Sequence, residues 1–432
     1  MKKSIAFIYL PHPWLKNPEA QLPLGILYLA AITKDAGYAT AVLNYSGWGF
    51  NGALEDLEIK YEEMKIDFFA ITATSLEIPT ANVFGRAIKE LFPDSKLIIG
   101  GPGTITPEYI DECFDLIYIG EAERDFTSFL DYFPRYRMTH VCGNPVQNLD
   151  SLPFPARELI HGKLGGEIFA FGKHYIGQES TTIISSRGCP YNCSFCAAPK
   201  VKVRLRDPKM VVAEMKLLYE WYNISEFRFN DDSFTMNPYR VLEICKMIRN
   251  NFKDGEIAWR VSCRVKPIDK NVISAMVEAG CKEFSFGIES FDQDVLDRLT
   301  KGVTVEDNIH ALKLVNSVGG KARVLFMIRT PGQTLKTVDK NIEVLEKVPY
   351  ALIACTSFAP LPGSAIWDNP EKFGIRILSR KLEDYNFYFY GAKGKIELKR
   401  LFSYINQSTD AIEIDSERFR TYLESTGKLN QG

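Results

Sequence analysis

"TTIISSRGCPYNCSFCAAPK", Thr181 to Lys200, joins a run that reads as a strand to a loop holding Cys189, Cys193 and Cys196 in a C-x3-C-x2-C spacing. Gly188 and Pro190 supply the turning geometry. Spacings of four and three residues let a tight loop aim three thiolates at one point. A disulfide needs two thiols, and a structural zinc site needs four ligands. Cys245 is the next cysteine downstream, beyond forty residues, and His174 lies fifteen residues upstream of Cys189. Iron–sulfur clusters take cysteine thiolates, normally one per iron. A four-iron cluster on three cysteines leaves one iron open to a small chelating ligand, such as the amino and carboxylate groups of an amino acid.

Downstream of this stretch the strand signal recurs. The runs are "TTIISS" (181–186), "EFRFN" (226–230), "IAWRVS" (257–262), "EFSFGI" (283–288), "ARVLFMI" (322–328) and "LIACTSF" (352–358). Each gap holds one helix, as parallel pairing requires. Asp207 is placed to N-cap a helix with Pro208 at its first position, and "TVED" (304–307) has capping-box character before a helix that stops at Gly319-Gly320. Leu335, Val338, Ile342 and Leu345 form one helical stripe expected to face a core. Six parallel strands with outer helices predict a partial (β/α)6 TIM-like barrel over 179–375, with chemistry at the strand C-termini.

Upstream, residues 1–135 alternate five apolar runs with amphipathic segments: "SIAFIYL" (4–10), "ATAVLN" (39–44), "DFFAITA" (67–73), "KLIIGG" (96–101) and "LIYIG" (116–120). Continuous apolar strands mean both sheet faces are covered. The chain is therefore α/β, opening with a doubly wound, Rossmann- or flavodoxin-like domain that binds ligands at its strand ends. Residues 136–178 read as a linker, and 376–432 as a short C-terminal extension. Its aromatic stretch, Tyr385 to Tyr390, is taken as ordinary packing.

Bulk composition narrows the class. The chain has 432 residues, 46% of them hydrophobic and 25% charged, with a net charge of −2. That charge gives no basic field for nucleic acid or a membrane surface, so neither is an expected partner. No apolar run reaches the length of a membrane span, and the N-terminus, with Pro11 and Pro13, makes a poor signal peptide. The remaining six of the nine cysteines are expected to be small buried hydrophobes in a reducing, cytoplasmic protein.

The cysteine loop after the first strand of a six-strand βα series resembles the radical S-adenosylmethionine superfamily, over residues 181 to about 360. The resemblance implies a [4Fe-4S] cluster on Cys189, Cys193 and Cys196 whose open iron chelates S-adenosylmethionine, with reductive cleavage yielding a 5′-deoxyadenosyl radical. Phe195 matches the family's aromatic near the adenine. Asn230, Asp231 and Asp232 end the second strand, where the family places polar groups on the methionyl amine. A carboxylate there suits an ammonium, although each of the three fits an Asx turn or helix cap equally well. Ser262 and Arg264 follow the third strand, where an arginine can pair a carboxylate bidentately, and Glu289 ends the fourth. "MIRTPGQT" (327–334) departs from the family's usual Gly-x-Pro-Gly-Glu by placing Arg329 for the glycine and Gln333 for the glutamate. The alternating "KVKVRLR" (200–206) is read as a solvated basic face or a binder of phosphates.

In the N-terminal domain "LPLGILYLAAITKDAGYATAVLN", "IIGGPG", "IGEAE" and "LPFPARELI" resemble, in order, the cobalamin-binding domain and linker of cobalamin-dependent radical enzymes. The resemblance implies cobalamin contacts at Thr72, Thr74, Ser75, Leu76, Glu77, Gly100, Gly101, Gly103, Gly120 and Glu121. No D-x-H-x-x-G signature is present, so cobalamin is expected without a protein histidine on cobalt, Leu76 and Glu77 facing its lower side. Together these imply a radical methyltransferase acting at an unactivated carbon of a small-molecule, peptide or natural-product substrate, fed by a donor such as flavodoxin or ferredoxin. The alternatives are a cyclase or ring-rearranging enzyme with the same cofactors, and an iron–sulfur electron carrier or zinc-stabilised binding protein. A carrier has no need of a second full βα series.

Overall fold

The apolar runs become strands because each is short, β-rich and bounded by turn residues. A computed structural model of the chain describes residues 3–10, 22–133, 139–160, 175–176, 179–198, 202–385 and 401–429. These form two compact units, Met1–Gly166 with Arg380–Ile396, and Glu167–Ser379 with Glu397–Gly432.

The first unit holds β1 (Ser4–Tyr9), β2 (Ala39–Asn44), β3 (Phe68–Thr72), β4 (Lys96–Gly100), β5 (Leu116–Ile119) and β6 (Thr139–Cys142). They form one sheet in the order β2-β1-β3-β4-β5-β6, parallel at every pair. The order reverses at β1, so the ligand-binding edge of a doubly wound sheet lies beyond the ends of β1 and β3. Ile8, Phe69, Ile71, Ile99 and Ile117 pack against Ala81, Phe84 and Ile88 of the helix Ile78–Leu91. Leu382, from far down the chain, is 1% exposed and belongs to this same core. The stretch expected as a linker supplies β6, and beyond it the Ala156 amide donates to the Leu27 carbonyl while Lys34 pairs with Glu158. Cys142 is exposed, against the expectation of a buried thiol, because it ends this outermost strand.

The second unit holds β7 (Glu179–Ile183), β8 (Ser186–Arg187), β9 (Arg204–Leu205), β10 (Ile224–Phe229), β11 (Ala258–Cys263), β12 (Cys281–Glu289), β13 (Lys321–Ile328), β14 (Leu352–Ser357), β15 (Ile375–Ile377) and β16 (Phe402–Tyr404). Six of these make a curled, half-barrel parallel sheet in the order β14-β13-β12-β11-β10-β7. Asp207 caps the helix Pro208–Tyr222 by accepting from the Lys209 amide, and a Thr304–Asp307 capping box opens Val305–Ser317. On the sheet's helix-facing side Phe229, Phe234 and Trp259 form an aromatic cluster. Period-two alternation then turns Arg228, Arg260, Glu283 and Arg323 to the other face. In the helix Leu335–Lys347 the buried stripe is Thr337, Val338, Asn341 and Leu345, and Leu335 is 46% exposed because it sits at the first turn, before the helix meets the sheet. Among the described residues no helix is long and apolar enough to cross a membrane.

Candidate cofactor site

β8 and β9 pair antiparallel, with Ser186 opposite Leu205 and Arg187 opposite Arg204, and so close the neck of the cysteine loop. Asp231, just past β10, holds this neck: it accepts from the Ser185 amide (2.7 Å), the Ser185 hydroxyl (2.5 Å) and the Ser186 hydroxyl (2.6 Å). Buried arginines complete the frame. Arg206 donates to the Ile184 carbonyl and pairs with Glu214, and Arg240 donates to the Ser185 and Arg206 carbonyls. The basic strip is therefore no solvated face: Arg204 and Arg206 are buried, only Lys202 is exposed, and Lys200 lies outside the described residues.

Within the loop Cys193 is buried and Cys189 and Cys196 are half-buried. Burial raises the pKa of the Cys189 and Cys196 thiols; Cys189 feels Asp232 and Cys193 as like charges, and Cys196 feels Cys193, Cys189 and Asp232. They are thus neighbours, yet among the described residues no three His, Cys, Asp or Glu side chains come together tightly enough for one metal ion. A four-iron cluster asks for something different, one thiolate on each of three separate irons. Arg264 supplies the cation that three crowded thiolates need. Its Nη1 lies 3.4 Å from Cys193 Sγ, its other terminal nitrogen donates to the Lys301 carbonyl, and its guanidinium stacks 3.6 Å from the centre of the Tyr191 ring. Its two terminal nitrogens are thus engaged beside the cysteine loop, while Nε is buried without a partner among the described residues.

Three adjacent polar residues after β10 divide their roles. Asn230 uses its amide to extend the ladder to the Ile183 carbonyl. The carboxylate of Asp231 is consumed in the neck, so it is not the one open to an ammonium. Asp232 is exposed, beside the cysteines; desolvation and Asp231 raise its pKa, and the Gly188 amide draws it back. Ser262, at the end of β11, is half-buried.

Glu289 ends β12 with φ +62°, a left-handed conformation rare for a residue with a side chain, and an outlier of the kind that clusters at functional sites. Its carboxylate is 2.8 Å from Lys301 Nζ, and both side chains are buried. A Cβ at Gly287 would stand 2.7 Å from both Glu289 Oε1 and Lys301 Nζ, so glycine there makes room for the pair. Lys301 also lies 5.7 Å over the Phe195 ring. The sequence reading missed Lys301. Its only signal was a lysine between a turn residue and Gly302 in "LTKGVT", with no pattern to mark burial.

In the first unit the ten expected contacts all fall at the ends of β3 and β4 or on the loops after β3, β4 and β5. Some are occupied by the fold itself. Thr74 and Glu77 form a capping box, and a Cβ on Gly101 or Gly103 would strike Thr72 Oγ1 or the Thr74 backbone at 2.6 Å. Those two glycines let the β4 loop pack on the β3 loop, rather than clearing space for a ligand. Gly100 and Gly120 have only ordinary neighbours, at 3.8 Å, while Thr72 and Ser75 are half-buried hydroxyl residues and Glu121 accepts from the Val146 amide. Leu76 is buried.

Residues 183–345 match the Radical SAM superfamily, and residues 19–130 match the B12 binding domain. An uncharacterized methyltransferase of Pyrococcus horikoshii is 28% identical over 370 residues, covering 80% of this chain and 78% of that protein. The anaerobic magnesium-protoporphyrin IX monomethyl ester cyclase of Rubrivivax gelatinosus is 25% identical over 386 residues, covering 84% of this chain and 68% of that protein. In fold the chain is similar to the radical S-adenosylmethionine methyltransferase TsrM of Kitasatospora setae, solved with cobalamin and a [4Fe-4S] cluster, with a TM-score of 0.73 at 15% identity over 99% of this chain and 91% of that one. The chain thus carries a Radical SAM domain behind an N-terminal B12 binding domain.

Proposed function

We propose that this protein is a cobalamin-dependent radical S-adenosylmethionine methyltransferase acting at an unactivated carbon. The observation that carries the reading is a three-cysteine loop at the C-terminal edge of a half-barrel, in one chain with a B12 binding domain. When bound, the cluster and S-adenosylmethionine supply one-electron chemistry, and cobalamin carries the methyl group. Cys189, Cys193 and Cys196 would hold the cluster, with Arg264 offsetting their negative charge. Asp232 is the carboxylate left free for the methionyl ammonium, Phe195 would pack on the adenine, and the Glu289–Lys301 pair would fix the floor beside it. Thr72, Ser75, Gly100 and Gly120 would face cobalamin. The finer parts of the proposal are a flavodoxin- or ferredoxin-type electron donor, a small-molecule or peptide substrate, and a cytoplasmic location.

Anaerobic reconstitution should give about four irons per chain, and alanine at the three cysteines should abolish them. One tightly bound zinc instead would sink the scheme. Turnover should release S-adenosylhomocysteine beside 5′-deoxyadenosine. Likeness to the magnesium-protoporphyrin cyclase supports a second reading, ring closure without methyl transfer; 5′-deoxyadenosine formed with no S-adenosylhomocysteine would favour it.

A further inference from the structure

Deeper on the inward face of the second sheet lies a layer of charge for which the proposed chemistry gives no role. Arg228 sits two residues before Asn230, roughly 7 Å further from the strand ends, and is directly opposite Arg260 in register. Arg260 in turn faces Glu283, and Arg323 faces Ser285. Three guanidiniums thus lie level with one carboxylate, Glu283; the next on this face, the buried Glu226 two residues before Arg228, accepts from the Ile176 amide. Glu283 is fully buried and already pairs with Arg260, Oε1 to Nη1 at 3.1 Å. Arg228 and Arg323 have no hydrogen bond or ion pair to another described residue, and Arg323 Nε and Ser285 Oγ are both buried without a partner among the described residues. Burial, then repulsion from Arg260 and Arg323, lowers the Arg228 pKa to about 9.

A structural role predicts the opposite pattern. The arginines that frame the cysteine loop in this same unit are saturated: Arg206 has Glu214 and a carbonyl, and Arg240 has two carbonyls. A cation drawn from water without its counter-charge is destabilising, and buried polar atoms are ordinarily satisfied. Arg228 and Arg323 are half-buried, so the layer can still be reached. Planar guanidinium forks and a hydroxyl turned to one face from three strands, the two arginines close enough to repel, are what an oxyanion takes bidentately.

We infer that Arg228, Arg323 and Ser285 form a binding site for an anionic group of the substrate, a phosphate, phosphonate or carboxylate, held inside the half-barrel below the cofactor edge. The inference rests on the proposed function only in calling the ligand a substrate. S-adenosylmethionine carries a carboxylate as well, so the test includes it.

The experiment is calorimetric titration of the full-length, anaerobically reconstituted protein with inorganic phosphate at low salt, then with S-adenosylmethionine. One phosphate should bind per chain. Arg323→Met and Arg228→Met should each weaken it at least tenfold, Ser285→Ala a few-fold, with iron content and S-adenosylmethionine affinity unchanged. Without phosphate the two methionine variants should melt at or above the wild-type temperature, since each removes an uncompensated charge. Wild type that binds no phosphate, or an unchanged affinity in all three variants, overturns the site. Lower melting temperatures in both methionine variants, with phosphate binding intact in Ser285→Ala, would make the arginines structural. An equal loss of S-adenosylmethionine affinity would assign the anion to that cofactor and overturn the substrate role. None of these readouts needs turnover, so they stand apart from a failure of the methyltransferase reading.

Discussion

At the scale of single residues, identity was legible where chemistry demands a type and illegible where neighbours decide the role. Three cysteines at that spacing announce a cluster loop, but "NDD" does not say which carboxylate is spent on the backbone. Only the fold shows Asp231 bound to Ser185 and Ser186 and Asp232 exposed. Asp231→Asn should therefore destabilise the apo protein by about 1–3 kcal/mol, and Asp232→Asn by less than about 0.5 kcal/mol, in urea titrations. Equal losses would contradict the division. Lys301 was invisible in the sequence for the same reason, since burial of a lysine comes from a partner 12 residues away in the chain. Removing one member of a buried pair leaves the other charge stranded. Lys301→Met alone should cost about 3–5 kcal/mol, and the double variant with Glu289→Leu should recover much of it in a double-mutant cycle.

Asp292 gives the residue scale its pH dependence. Burial raises its pKa, but hydrogen bonds from Lys340 and Thr337 and the charge of Lys340 outweigh this, and the net shift is downward. A depressed folded pKa means stability that is fully present above the ordinary carboxyl value, about 3.9, and lost as pH falls from there through the folded value. Asp292→Asn should cost about 1 kcal/mol at pH 7. That gap should stay constant down to pH 5 and begin to close only below about pH 4; a gap that varies between pH 7 and 5 would contradict the assignment.

Elements were legible in proportion to their length and coverage. Strands buried on both faces leave uninterrupted apolar runs, as in β1, and β2, less buried at the sheet's edge, still falls on the expected residues throughout. β6 was not seen because "THVC" has four residues and follows a polar tract, and β15 and β16, "IRI" and "FSY", alternate as strands do but at three residues each are too short to stand out. The helix Thr409–Ser425 explains the two departures from the family's motif after β13. Arg329 reaches Glu413 on that helix and Ser357 at the end of β14, its carbonyl accepts from Tyr404, and Gln333 donates to Ser416. What looked like a weakened cofactor loop is an anchor for the C-terminal helix. Arg329 adopts φ +60° to make these bonds. Arg329→Gly would relax that backbone and release the helix. A loss of about 1.4 kcal/mol corresponds to about tenfold faster amide exchange, which should appear by mass spectrometry in Thr409–Ser425 while β10 to β13 stay protected. Unchanged exchange there would remove the anchor.

At the scale of the whole molecule, the sequence conveyed two βα series and their order, because periodicity is local. It could not convey that the chain returns to its first unit. Leu382 and Tyr385 are buried in a segment that clusters with residues from the beginning of the chain, and Leu382 joins the core of Ile71, Phe84 and Ile99. Leu382→Ala should thus cost about 2–5 kcal/mol, seen as earlier urea unfolding of the first unit with the second little changed. A loss confined to the second unit would contradict that placement.

That returning segment also sets a clock. Domains usually fold as they leave the ribosome, at about 5–20 residues per second. The first unit here is synthesised at once but lacks Leu382 until most of the 432 residues have been made, which takes about 20–80 seconds at that pace. For this interval the newborn sheet carries an apolar gap in its packing, and exposed surface of that kind is what chaperones bind. The first unit is therefore the one that waits longest, during its own manufacture, for a piece of its core.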